Sequence, residues 1–325
     1  MEASGRLKQL MRWLEGAMMA ALALLPLIAQ LAHQPFWLDL ATRLVILAMA
    51  AASLNIILGL GGLVSFGHAA FLGIGAYAVG IPVHHSIYGG ASWLASDNGL
   101  FHFALAVGAG ALFALVTGAL SLRTKGVHFI MITMAFGQMI YYLLESLETY
   151  GGNDGLTLDV RSALPGIDLD NPAQLYWLAF VILAGVLVMT WRLRDARFGL
   201  ALAGARENAR RMAALGHDVT RIRLAAYVLA GAICALAGAL MANSTAFITP
   251  AMTSWPRSGE LMFMVILGGA GRILGPVLGA GLFVLLEEAL SSFTTYWHLP
   301  FGLLLILAAL WQAEVFTTRS GGART

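Results

Sequence analysis

Apolar residues occur along this chain in runs of about twenty, separated by short polar or charged stretches. A helix needs about 20 apolar residues to cross the hydrocarbon core of a bilayer, although about 17 can suffice. The runs therefore predict an all-α, polytopic membrane protein with about ten transmembrane helices. The predicted spans are 16–32, 37–59, 63–82, 101–122, 127–147, 174–191, 224–245, 259–271, 275–292 and 299–315.

The basic residues predict the orientation of these spans, because Lys and Arg concentrate in cytoplasmic segments. With the N-terminus inside, sixteen of the nineteen Lys and Arg residues fall in inner segments, and only Arg43, Arg161 and Arg257 do not. The first run could pass for a signal peptide, but no clear small-residue cleavage site follows, so we interpret it as an uncleaved span. The expected organisation is a cytoplasmic N-terminal segment 1–15, one membrane domain 16–315 and a cytoplasmic tail 316–325.

The composition supports a membrane protein. Hydrophobic residues make up 59% of the chain and charged residues 11%, whereas about 25% of the residues in a soluble domain are charged. The mean hydropathy is +0.79. Cys234 is the single cysteine, which excludes an intrachain disulfide and a multi-cysteine metal site.

One long basic stretch, 192–223, interrupts the apolar runs and carries eight arginines. Within it, residues 205–216 have the character of a short charged helix that ends in Leu215-Gly216. A hydrophobic protein that keeps such a segment on its cytoplasmic side has a surface for a soluble partner. The alternative is a solvated basic loop that merely obeys the charge rule.

Glycine is concentrated between residues 55 and 80, which contain seven glycines together with Asn55, Ser65 and His68. Within a membrane, glycine allows either close packing of helices or a break in a helix. The segment is therefore either a tightly packed helix pair or an interrupted helix that lines a translocation path. For His68 we favour a hydrogen-bonded packing role over proton transfer.

Two further segments carry candidate packing or path residues. Gly271, Gly275 and Gly279 are four residues apart and share one face if their segment is helical, which predicts a tight inner turn and a helix packed through glycine. The span at 127–147 contains Thr133 and Gln138. These polar groups need partners, which are either neighbouring helices or the transported solute.

Several motifs of catalysis do not occur in the sequence. There is no Gly-Lys dipeptide, so the chain has no Walker A phosphate loop. It also has no zinc-protease or nucleophile-elbow motif. We expect this chain to perform neither ATP hydrolysis nor covalent catalysis, and to hold no cofactor or metal.

Five segments, taken together, resemble the branched-chain amino acid ABC permeases of the LivM type. They follow the family order and cover roughly residues 40 to 290. The segments are Ser65 to Tyr77, Arg123 to Gln138, Gly151 to Leu156, Ala205 to Gly216 and Gly268 to Ala280. The chain departs from the family at Arg272, where the family usually has Thr or Ser.

The resemblance implies the permease fold of an ABC importer in the bacterial inner membrane. It implies a second, LivH-like permease subunit, two cytoplasmic ATPase subunits and a periplasmic substrate-binding protein as partners, all functioning at a lipid bilayer without nucleic acid. It also implies that the basic stretch docks on the ATPase. The residues assigned to this coupling are Arg206, Glu207, Asn208, Arg210, Arg211, Leu215 and Gly216.

The expected function is import of branched-chain or related amino acids. Importers of urea, short amides or small carboxylic acids have similar permeases and remain alternatives. An ion-coupled secondary transporter is a third hypothesis, which would require a buried or paired charge at mid-membrane. Apart from Glu145 and Glu287/Glu288 near span ends, the sequence indicates no such charge. An intramembrane enzyme is a further class, and the sequence does not contain the catalytic residues that such an enzyme would need.

Overall fold

The computed structural model describes residues 21–22, 24–26, 35–90, 93–293, 299 and 301–302. A π-helical segment, Ile56–Leu60, continues the helix Pro35–Asn55, and two short strands, β1 (Leu156–Thr157) and β2 (Phe247–Ile248), form an antiparallel pair. The α-helices in these residues are α1 (Pro35–Asn55), α2 (His68–Tyr88), α3 (Gly99–Ser121), α4 (Val127–Glu145), α5 (Pro172–Asp195), α6 (Arg197–Glu207), α7 (Ala209–Ala214), α8 (Val219–Thr245), α9 (Trp255–Gly268) and α10 (Gly275–Phe293).

Seven helices in the described residues are long and apolar enough to cross a membrane: α1 with its π-helical extension, α2, α3, α4, α5, α8 and α10. They correspond to seven of the ten predicted spans, although α2 begins at His68 rather than at 63. The predicted spans 16–32 and 299–315 lie mostly outside the described residues, and the segments 1–15 and 316–325 lie wholly outside them. The count of ten spans and the orientation therefore stay predictions.

The predicted span at 259–271 differs from the structure. Helix α9 has 14 residues, about 21 Å of helix, which is too short for a hydrocarbon core of about 30 Å. Its N-terminus lies within the bundle, because Ser258 Oγ accepts a hydrogen bond from the backbone N–H of Ala69 near the start of α2, at 2.9 Å. The 27-residue α8, β2 and a 3₁₀ turn precede α9, so the chain re-enters the bundle before α9 begins.

Asn and Asp residues begin several of the helices. Asn98, Asn171 and Asp218 stand immediately before α3, α5 and α8, and each side chain accepts a hydrogen bond from a backbone N–H of the first turn. These side chains satisfy donors that have no partner within the helix. Short polar residues before an apolar run thus explain where these three helices start.

Helix α8 lies at the centre of the bundle and packs against α1, α2 and α3. Small residues allow this close approach: a methyl group on Gly75 would overlap the carbonyl oxygen of Ala235, and one on Gly238 would overlap that of Leu72. Inside a membrane, van der Waals packing of small residues is a main source of helix association. The glycine-rich α2 and the alanine-rich α8 therefore form the core contact.

The bundle has two chemically different ends. We call the end that carries α6 and α7 the basic end, and the opposite end, which carries residues 146–171 and the β1–β2 pair, the acidic end. At the acidic end the buried Asn243 accepts a hydrogen bond from the Ser162 backbone N–H at 2.9 Å, and the ring Nδ1 of His102 lies 2.7 Å from Ser162 Oγ. These bonds fasten the 146–171 connection to α3 and α8.

Candidate functional site

The basic stretch forms two short helices, α6 and α7, at the end of α5. Asn208 separates them, and its Oδ1 accepts a hydrogen bond from the Arg211 backbone N–H at 2.9 Å, which caps α7. Gly216, with φ +87°, ends it. The N–H of His217 donates to Met212 O and that of Gly216 to Ala213 O, the pattern of a Schellman motif. Leu215-Gly216 is therefore a helix terminus, as its sequence indicates.

The outer surface of α6 and α7 is both basic and apolar. Leu200 and Leu215 are 64% and 69% exposed. All the predicted coupling residues are exposed: Arg206, Glu207, Asn208, Arg210, Arg211, Leu215 and Gly216. Guanidinium groups can bond to carboxylates of a partner while exposed leucines fill a groove.

Arg206 differs from its neighbours because its guanidinium, although the residue is exposed, also contacts the bundle. Its Nη1 donates a hydrogen bond to the carbonyl oxygen of Gly59, in the π-helical extension of α1. Carbonyl groups in the last turn of a helix lack a partner within that helix, so the arginine satisfies one of them. This bond ties α6 to α1 directly.

Asn55, at the end of α1, connects this helix to the α9–α10 turn. Its Nδ2 donates to the carbonyl oxygen of Arg272 and its Oδ1 accepts from the N–H of Gly271, each at 2.8 Å. Asn55 thus holds the turn between α9 and α10 against α1. Because Asn55 binds the backbone of Arg272, this contact does not require the Thr or Ser usual in the family.

The glycine-rich segment is interrupted and also tightly packed. After α1 and its extension, residues 61–67 contain no α-helix, and α2 starts at His68. The ring Nε2 of His68 lies 2.8 Å from Ser53 Oγ in α1, so the chain rises back alongside α1 before α2 begins. A methyl group on Gly67 would overlap the carbonyl oxygen of Thr133 in α4. Irregular backbone within a membrane is tolerated where protein buries it or where it lines a cavity.

The five candidate path residues have different contacts. His68 and Ser65 are buried where residues 65–68 meet neighbouring helices. The Ser53 hydroxyl donates to Ala50 O, which assigns the donor role in the His68–Ser53 bond to His68 Nε2. Thr133 is buried and donates to Ile130 O within α4. Gln138, five residues further along α4, lies on a different face, and Asn55 binds the α9–α10 turn.

The three candidate packing glycines have two different positions. A methyl group on Gly279 would overlap the carbonyl oxygen of Met264, and Gly275 lies against the carbonyl oxygens of Gly268 and Gly269, so both are at the α9–α10 contact. Gly271 is instead in the turn, where its φ of +83° favours glycine.

Two ion pairs within the helices were missed by the sequence reasoning, which indicated no paired charge away from the span ends. Arg43 Nη2 donates to both carboxylate oxygens of Glu287, at 2.7 and 2.9 Å, and joins α1 to α10. Arg43 lies eight residues after Pro35, about 12 Å into its helix. Arg257 pairs with Glu260 within α9. Both arginines fall outside the inner segments in which Lys and Arg concentrate. This unusual position was the sequence signal that each could have an acidic partner.

Removing one charge of the Arg43–Glu287 pair is expected to destabilise the protein, because the partner charge stays in a membrane-embedded contact. Glu287→Gln should lower the free energy of unfolding by about 2–4 kcal/mol. The matched control is Glu288→Gln, since Glu288 forms no ion pair with any described residue. Thermal unfolding in mild detergent compares the two, and equal stability of the two variants would contradict the prediction.

Seven long apolar helices and an exposed basic helix pair in the described residues define the class of the chain: a multi-pass membrane protein. Within this class the chain belongs to the family of branched-chain amino acid transport system permease components, whose sequence model matches residues 36–310. Its homologues in this family are ABC transporter permease subunits, which are not themselves enzymes.

The chain is also similar to individual proteins. The chain is 28% identical over 300 residues to the high-affinity branched-chain amino acid transport system permease protein LivM of Salmonella typhimurium, covering 85% of this chain and 68% of that protein. It is 28% identical over 194 residues to the autoinducer 2 import system permease protein LsrC of Yersinia pseudotuberculosis, covering 56% and 54%. A solved metal-chelate type ABC transporter in an inward-facing conformation aligns over 94% of this chain and 99% of its own, with a TM-score of 0.43 and 15% identity.

Proposed function

We propose that this chain is a permease subunit of an ATP-driven importer that carries branched-chain or related amino acids across the bacterial inner membrane. The observation that carries the proposal is the family match over residues 36–310. The proposed orientation places the basic end and both termini in the cytoplasm, as the distribution of Lys and Arg predicts. The acidic end then faces the periplasm and a substrate-binding protein.

In this proposal α6 and α7 dock on a cytoplasmic ATPase. Arg210 and Arg211 would bind carboxylates of that subunit, and Leu200 and Leu215 would fill an apolar groove. Arg206 has a different role: its bond to Gly59 transmits a movement of α6 to α1. From α1 the movement reaches the α9–α10 turn through Asn55.

The cargo assignment rests on the extent of the similarity. The LivM relative aligns with 85% of the chain, whereas the autoinducer permease aligns with 56%. The permease itself would hold its solute weakly, since charges within its described spans are few and the Arg43–Glu287 pair is internally neutralised. Selectivity would then reside mainly in the binding protein. Urea, short amides and small carboxylic acids stay alternative cargoes.

The ion pairs favour one rival function, an ion-coupled secondary transporter, because paired intramembrane charges mark ion pathways in such proteins. Against this rival, both carboxylate oxygens of Glu287 accept hydrogen bonds from an arginine, a residue that stays protonated in proteins. Such a pair disfavours the proton uptake and release that ion coupling would require of the carboxylate. The pair is better explained as a connection between α1 and α10.

Mass spectrometry of the proteins that co-purify with this chain from native membranes in mild detergent tests the proposed assembly. We expect a second permease subunit, two copies of a Walker-motif ATPase or one copy each of two, and an associated binding protein whose ligand identifies the cargo. Purification of the chain without any ATPase, from membranes in which it transports its cargo, would refute the proposal.

A further inference from the structure

A cavity of about 260 Å³ opens at the basic end between the irregular segment after α1, the α3–α4 connection and the start of α8. Cavities for drug-sized ligands measure about 300–1,000 Å³, so this one suits a smaller molecule. Apolar side chains form much of the lining, which includes Leu63, Val64, Leu122, Phe129 and Ile130.

Two cations lie on the same cavity, Lys125 and Arg223. Neither forms an ion pair with a carboxylate in the described parts of the chain, where four other arginines do. The guanidinium of Arg223 donates from Nη2 to Ala205 O at 2.9 Å, and its buried Nε has no acceptor among the described residues. The cavity therefore combines an apolar wall with uncompensated positive charge.

We propose that this cavity, which we call the Lys125–Arg223 cavity, binds a small monocarboxylate with a branched apolar body. A carboxylate would accept charge-assisted hydrogen bonds from the two cations and offset part of their charge, and a branched alkyl group would occupy the apolar wall. Neutral amides and sugars leave the cations unpaired, and larger anions exceed the volume. This inference rests on the proposed function in one respect: the imported branched-chain amino acids share the carboxylate and the branched alkyl group.

The position of the cavity gives such binding a consequence. Its lining includes residues 62–64 of the irregular segment and the first residues of α4. It also includes Ala209 of α7 and Arg223 of α8. A molecule bound there bridges the helices of the basic stretch and the irregular segment, which must move relative to each other if α6 and α7 transmit a conformational change. Imported solute that accumulates at the basic end, the cytoplasmic end in the proposed orientation, is thus expected to slow further import.

Equilibrium dialysis of tritiated leucine with the purified permease complex, free of its binding protein, tests the site. Isovalerate, which keeps the carboxylate, should displace leucine, and isoamylamine, which lacks it, should not. Lys125→Gln should weaken leucine binding about tenfold, the effect of about 1.4 kcal/mol. Arg123→Gln is the matched control, since Arg123 is exposed on the same connection and does not line the cavity. Arg223→Lys is a second variant, which keeps the charge but not the planar donor arrangement.

The outcomes separate this inference from the proposed function, because binding is measured without transport. Displacement by isovalerate together with a loss confined to Lys125→Gln and Arg223→Lys supports the cavity, even if the complex imports another solute. Equal binding by wild type, Lys125→Gln and Arg123→Gln overturns it, as does equal displacement by isoamylamine or the absence of leucine binding at millimolar concentration. A complex that transports leucine but shows any of these results refutes the cavity alone.

Discussion

Arg206→Ala is expected to lower ATP-driven uptake at least about tenfold while the protein still inserts into the membrane and still binds its ATPase. The substitution removes a charge-assisted hydrogen bond to the Gly59 carbonyl oxygen, and such bonds contribute about 1.5–3 kcal/mol. The Gly59 carbonyl oxygen would lose this partner, and α6 would no longer be fastened to α1. Uptake per unit of membrane-inserted protein and ATPase co-purification measure the two halves of the prediction.

Arg210→Ala is the matched control, because Arg210 is exposed on α7 and makes no side-chain bond to any described residue. If Arg210 is a docking residue, Arg210→Ala should weaken association with the ATPase. Arg206→Ala should instead leave the ATPase bound but stop ATP hydrolysis from driving transport. Normal uptake by the Arg206→Ala protein would refute the proposed transmission through Gly59. Loss of the ATPase in both variants would instead assign both arginines to the docking surface.

Gly279→Ala is expected to destabilise the bundle by about 1–3 kcal/mol or more, although alanine normally favours a helix over glycine by about 1 kcal/mol. The added methyl group would overlap the Met264 carbonyl oxygen in α9. Backbone atoms cannot move aside as a flexible side chain can, so α9 and α10 would have to separate. Because Asn55 holds the turn between these helices, the displacement would extend to α1.

Gly281→Ala provides the control on the same helix. A methyl group there would meet its nearest neighbour, Leu44 Cδ1, at 3.7 Å, an ordinary van der Waals contact. We expect unchanged or slightly higher stability for this variant and a clearly lower unfolding temperature for Gly279→Ala, measured in the same detergent. A Gly279→Ala protein as stable as the Gly281→Ala protein would show that the α9–α10 contact is looser than described.

The long helices could be predicted from the sequence because each apolar run satisfies the length requirement of a membrane by itself. The end of α7 was equally local, since Leu215-Gly216 carries the signal of a helix C-terminus. Helix α9, which alone is too short to cross a membrane, is the opposite case. Its apolar run gives no sign that Ser258 binds the start of α2, and that tertiary contact places its N-terminus inside the bundle.

The connections between distant parts of the chain were beyond sequence reasoning. Arg43 and Glu287 are 244 positions apart, and nothing local to either residue names its partner. Arg206 was assigned to the coupling segment as a docking residue by resemblance, whereas its guanidinium also bonds to Gly59 within the protein. Asn55 was a candidate path residue because it is a polar group in an apolar run, and its hydrogen bonds place it at the α9–α10 turn.

Transport by the purified complex in proteoliposomes tests the central claim most directly. The binding protein and a saturating amino acid are supplied outside, and ATP is supplied at the basic end. The amino acid should then accumulate against its own concentration gradient when no ion gradient is present. A non-hydrolysable ATP analogue should support none. Accumulation by this chain alone, driven by a proton or sodium gradient without ATP, would contradict the account and identify a secondary transporter.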